Sequence, residues 1–171
     1  QRFIHRLGVE GRAGYIFQTN PFLEYSNHQY KAMKNAYAGH LKYSFQLRPH
    51  TVADQAYIGA YQGIGVGYFN FGNPEELGNP LAVYLFQGGR IAQFSPRISL
   101  NYEWNFGASF GWKPYDEYDN PENQIIGSKV NAYLNVNLYL KWALSPKFDL
   151  MIGATGSHFS NGNTQYPNSG L

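Results

Sequence analysis

Two kinds of side chain alternate without a break along two long stretches of this chain. Between residues 98 and 112 the even positions read Ile, Leu, Tyr, Trp, Phe, Ala, Phe and Trp, and the odd ones Ser, Asn, Glu, Asn, Gly, Ser and Gly. Between 130 and 142 the even positions are Val, Ala, Leu, Val, Leu, Leu and Trp, set against Asn131, Tyr133, Asn135, Asn137, Tyr139 and Lys141. A β-strand turns successive side chains to opposite faces, so each stretch has one apolar and one polar face. Weaker alternation marks 37–47, 57–69 and 148–160; 3–17 is interrupted by glycine, and 81–90 is the least regular segment. The pattern predicts seven antiparallel strands in one all-β domain over residues 1–171.

Strand length separates two kinds of sheet. Soluble strands average about five or six residues, whereas a tilted strand crossing a bilayer needs roughly nine to eleven. The two clearest segments are longer than either. Abundant Tyr (15) and Phe (12) suit strands, and 19 glycines argue against long helices. No apolar run is long enough for a transmembrane helix. Cys is absent, which removes disulfides and thiolate metal sites, and a net charge of +2 without a basic patch gives no reason to expect nucleic acid as a partner. The expected architecture is an up-and-down transmembrane β-barrel with its apolar faces turned outward.

The connections set its direction. Residues 18–35, 72–80 and 113–127 are the longer ones, and 48–54, 92–96 and 145–147 the shorter. Outer-membrane barrels have short periplasmic turns and long extracellular loops, so the seventh strand is expected to rise toward the cell surface. Trp112 and Tyr115 on the outer rim, with Trp142 and Phe148 on the inner one, are expected as interfacial girdles. Single-chain bacterial barrels have an even strand number. Eight strands are therefore expected with seven visible, the last lying beyond Leu171. The opening at Gln1, without a leader, is what a processed protein would show.

Chemistry concentrates at the end of the seventh segment, His158-Phe159-Ser160-Asn161-Gly162. His158 and Ser160 share a face with Leu150, Ile152 and Ala154, the lipid-facing side by parity. A serine hydroxyl becomes a nucleophile when a neighbouring histidine takes its proton. The Asn161 amide and the backbone N–H groups at Asn161 and Gly162 are oxyanion-hole candidates. A bare His-x-Ser reads first as an interfacial histidine beside a loop-capping serine. The longer string is more specific: its four defined positions recur by chance roughly once in a thousand chains of this length.

This string, followed by Tyr166-Pro167-Asn168-Ser169-Gly170-Leu171, resembles the signature of the outer-membrane lipid A 3-O-deacylases, PagL-like proteins loosely called acyloxyacyl hydrolases. The remaining strands, including Ser95-Pro96-Arg97 to Trp112-Lys113-Pro114, are also similar to longer members of that family. The resemblance implies an eight-stranded barrel in the bacterial outer membrane that removes the ester-linked acyl chain at the 3-position of lipid A, without metal or other cofactor. It implies Ser160 as nucleophile, His158 as general base and Asn161 with Gly162 at the oxyanion hole. Its triad is completed by an acid, usually Glu, on the following strand, which is expected beyond Leu171. Glu103 and Asp149 have inward parity and belong to the wrong face, Glu103 being expected in a polar lumen network; Asp116, Glu117, Asp119 and Glu122 lie in an outer loop with nothing to orient them. A chain ending at Leu171 is thus expected to be impaired or inactive.

The expected partners are lipopolysaccharide and outer-membrane lipids, with the site at the outer leaflet; oligomeric state is left open. Lys113 and Lys129 flank the outer loop as ordinary solvated charges or as contacts for lipid A phosphates. His5, His28, His40 and His50 have no metal-ligand spacing, and Gly63, Gly65 and Gly67 suit curvature or side-chain clearance. Two other readings are a non-catalytic structural barrel and a soluble β-barrel lipid carrier.

Overall fold

The computed structural model describes residues 3–17, 20–24, 26–27, 33–47, 59–123, 125–162, 166–167 and 170–171. They form seven strands: β1 (Phe3–Tyr15), β2 (Asn35–Leu47), β3 (Tyr61–Asn70), β4 (Gly78–Gln93), β5 (Ile98–Trp112), β6 (Asn131–Ala143) and β7 (Asp149–Ser160), with one short helix, α1 (Pro21–Glu24). Every strand pairs antiparallel with its neighbour in chain order. The expected strands all exist: 98–112 is matched at both ends, and 81–90 extends to Gly78–Gln93. Tyr57, in the expected third strand, lies outside the described residues, as does the expected connection 48–54.

The sheet curls into an incomplete barrel. Arg6 on β1 reaches Asp149 on β7 in an ion pair, and Arg12 on β1 donates to the Tyr133 hydroxyl of β6 across the interior at 3.1 Å. The curl settles the sign of the two faces. Along β5, Ser99, Asn101, Glu103, Asn105 and Ser109 are buried inside, while Trp104, Phe106 and Phe110 are exposed outside. Val9, Leu41, Leu85, Val136 and Ile152 continue the apolar outer surface around the sheet. A soluble carrier has the opposite arrangement, so the lipid-carrier reading fails on which side is apolar.

The interior divides into two halves. At the end carrying the first, third and fifth connections, Phe69, Phe71, Tyr84, Trp112, Tyr133 and Phe159 pack as a ring cluster. Loop residues Phe22, Leu23, Leu77, Ile125 and Ile126 cover it, all fully buried. Toward the other end the lumen is charged. Lys42 bonds Glu10 at 2.9 Å and Glu103 at 2.5 Å, and Tyr61 donates to Glu103 at 2.9 Å. Glu103 therefore belongs to a polar lumen network, as its parity predicts. Breaking a buried pair of this kind strands the surviving charge, at a cost of about 3–5 kcal/mol.

The alternating glycines of β3 are explained by clearance. A Cβ at Gly65 would lie 2.5 Å from the Tyr84 ring, and one at Gly67 2.5 Å from the His40 imidazole. His40 itself bonds the Tyr84 hydroxyl at 2.7 Å; His28 and His50 lie outside the described residues.

Trp112 departs from its expected girdle position. It is buried inside the barrel, stacked on Phe71 at 5.5 Å between centroids, with its Nε1 donating to Ser109 Oγ at 2.8 Å. The β4–β5 register shifts between Gly78 and Leu81, beside Pro80. On β5 itself Gly111 takes a left-handed φ of +85°, which breaks the alternation between Ser109 and Trp112 and turns the indole inward. Tyr115, Trp142 and Phe148 remain exposed at the two ends of the sheet.

Candidate functional site

The end of β7 owes its geometry to one buried ring. Phe159 points inward at 2% exposure, within 5.0 Å of Phe69 and 5.1 Å of both Trp112 and Tyr133 between centroids. Strand alternation then turns His158 and Ser160 outward on either side of it. His158 is paired with Leu134 and Ser160 with Ala132, both on the apolar outer face of β6. His158 is exposed and Ser160 half-buried. The two side chains share a face without a direct hydrogen bond between them. Sites without substrate often show such loose contacts, which tighten when the reacting group arrives.

Beyond Gly162 the chain comes back along β7. The Phe159 N–H donates to the Leu171 carbonyl at 2.8 Å and the Leu171 N–H to the Phe159 carbonyl at 3.0 Å. This reciprocal exchange is an antiparallel hydrogen-bonded pair. It lays Gly170 beneath the His158 ring: a Cβ there would stand 2.6 Å from imidazole Cε1, and Gly170 has φ +76°. Both the position and the backbone angle require glycine.

The fifth connection backs this segment. Gly170 N–H donates to the Ile125 carbonyl at 3.4 Å, and the backbone of Tyr166 and Pro167 lies so close to Gly127 that a Cβ would meet it at 2.7 Å. Asn161 Nδ2 donates to Ser128 Oγ at 3.3 Å. Gly162 is exposed with φ +65° and open space around it. The loop itself is pinned by Asn120 and Asn123, whose side-chain amides donate to the Glu76 and Lys113 carbonyls.

No carboxylate among the described residues bonds His158. Glu103 and Asp149 lie on the inward face. Asp116 is engaged by its own turn, accepting from the backbone amides of Asp119 and Tyr118 at 2.9 Å, and these hold its carboxyl below the ordinary carboxylate range. Glu117, Asp119 and Glu122 are exposed, as are Lys113 and Lys129. Asn168 and Ser169 of the quoted string lie outside the described residues.

Sequence reasoning placed His158, Ser160, Asn161 and Gly162 in one segment and on one rim, and the structure keeps them there. It missed the backing from Ile125, Gly127 and Ser128. Nothing in a loop sequence marks a residue whose partner lies more than thirty positions away.

The family model described as lipid A 3-O-deacylase (PagL) matches residues 7–171, nearly the whole chain. No curated protein and no solved structure matches significantly.

Proposed function

The chain belongs to the PagL family of lipid A 3-O-deacylases, whose activity is hydrolysis of an acyl ester of lipid A, and from that premise we propose that it works as a serine esterase at the outer leaflet of the bacterial outer membrane. Ser160 Oγ attacks the ester carbonyl while His158 takes the hydroxyl proton. The tetrahedral oxyanion is met by donors at Asn161 and Gly162. Collapse breaks the ester C–O bond, and His158 returns the proton to the departing sugar oxygen. Water, activated by the same imidazole, then attacks the acyl-enzyme; the fatty acid leaves and Ser160 regains its proton.

The observation that carries this reading is the outward placement of His158 and Ser160 on the apolar face of β7, at the end with the long connections. Drawing an acyl chain out of hydrocarbon costs about 0.8 kcal/mol per CH₂, or on the order of 10 kcal/mol for a dozen carbons. A nucleophile on the lipid-facing surface avoids that cost, because the ester arrives by lateral diffusion.

The register also offers a position for a triad acid. With Phe159 paired to Leu171, a strand continuing past Leu171 sets the next residue opposite His158 on the same outward face. That next residue is our candidate for the triad acid. An eighth strand there would fill the space between β7 and β1 and complete one barrel domain.

Mass spectrometry of lipid A from cells expressing the full-length protein, beside its Ser160→Ala variant, tests the reading. Loss of one 3-linked acyl chain with the parent and none with the variant is expected. Unchanged lipid A with both would favour a structural barrel instead.

A further inference from the structure

Resting on that reading of the Ser160–Gly162 segment, we propose that Ser128 is a positioning residue for the oxyanion hole, acting through Asn161. Asn161 follows the nucleophile directly, so its orientation aims the backbone N–H groups that would meet the oxyanion. Its Nδ2 donates to Ser128 Oγ at 3.3 Å. A hydroxyl has one proton to give. Having accepted from Asn161, Ser128 gives its own to Asn131 Oδ1 at 2.9 Å or to the Val130 carbonyl at 3.0 Å.

Asn131 is a firm anchor. It is buried at the start of β6, and its Nδ2 returns a bond to the Ser128 carbonyl at 2.9 Å. Its own carbonyl accepts from Ser109 Oγ at 2.8 Å, and Ser109 Oγ accepts from Trp112 Nε1 at 2.8 Å. Each link has a donor meeting an acceptor, and each hydroxyl uses its proton once. The chain runs from the aromatic cluster inside the barrel, through the sheet rim, to the residue beside Ser160. Trp112 turns inward where Gly111 takes a left-handed φ of +85°, so the same irregularity that removes it from the expected girdle supplies the inner end of this chain.

Ser128 touches neither substrate nor reacting atoms in this scheme; it holds Asn161 still. A positioning role of that kind appears in turnover more than in binding, since the oxyanion exists only in the transition state. The neighbouring Gly127, packed against Tyr166 and Pro167, keeps the turn close enough for the contact.

The test is a double-mutant cycle in the full-length protein, using hexa-acylated lipid A in mixed micelles as probe. Ser128→Ala is expected to lower kcat on the order of 10-fold with KM unchanged, because oxyanion donors account for about 10²–10³ and this variant misplaces rather than removes them. Ser128→Thr, which retains the hydroxyl, should restore most of the rate. In an Asn161→Ala background, Ser128→Ala should cost nothing further. Full kcat in folded Ser128→Ala, or fold-losses that multiply in the double variant, would overturn the positioning role while leaving the esterase reading intact. A parent inactive on this probe would overturn both.

Discussion

Replacing Gly170 by alanine tests whether the return of the chain beneath His158 sets the imidazole. The added methyl would stand 2.6 Å from Cε1, whereas ordinary contact begins at 3.4 Å, so the ring must retreat by about 0.8 Å. Displacements of about 1 Å in a catalytic group cost on the order of 10²-fold in rate. The left-handed φ of +76° adds about 1–2 kcal/mol of local backbone strain for any residue with a Cβ. That strain must be separated from the displacement. Gly72, in the third connection, has φ +78° and open space around it, so Gly72→Ala carries the same strain without the collision. We expect kcat for deacylation to fall 30- to 100-fold, on the scale of such displacements, in Gly170→Ala. The same rate should change less than threefold in Gly72→Ala. Both should migrate as folded barrels on unboiled gels, and released fatty acid measured by mass spectrometry supplies the rate. Near-parental turnover in folded Gly170→Ala, or an equal loss in Gly72→Ala, would refute the argument.

Three other outcomes follow from the same geometry. Phe159→Ala should destabilise the end of the sheet that carries His158 and Ser160 by about 3–5 kcal/mol, read as a lower urea midpoint, with activity falling alongside. Lys42→Met leaves Glu103 buried without its cation, while Glu10 keeps its ion pair with Arg12, and should cost about 3–5 kcal/mol in the same assay. Kinetic constants measured on the folded fraction should stay within twofold of parent. In a full-length protein whose residue after Leu171 is acidic, neutralising it to the amide should lower kcat, and moving the acid two positions along the strand should not restore it, since strand neighbours on one face stand roughly 7 Å apart.

Much of this fold is legible in the sequence because a strand's period of two is a local property. Residues 98–112 alternate so cleanly that both ends of β5 follow, and the parity of Glu103 places it in the lumen before any partner is known. Parity fails where the backbone turns left-handed. Trp112 sits one irregularity beyond Ser109, and only the φ of +85° at Gly111 reveals that the alternation has shifted. The candidate site divides in the same way. His158 and Ser160 are two positions apart on one strand, so their shared face is a local inference. Gly170 is conspicuous in the quoted string, but its need for glycine arises from an imidazole twelve residues earlier in the chain. Ser128 is one polar residue among several in a long connection, and its contact with Asn161 depends on how two loops meet.

The aromatic cluster in the half of the interior nearest His158 and Ser160 has a consequence beyond the fold. A barrel set through a permeability barrier is in principle a leak. Here a small solute entering from the charged end passes Lys42, Glu10 and Glu103 and then meets Phe69, Tyr84, Tyr133 and Phe159, with buried Phe22, Leu23 and Ile126 above them. Among the described residues, those rings fill that end of the interior. A packed interior of this kind makes the protein a plug rather than a pore, and conductance across planar bilayers should stay at baseline.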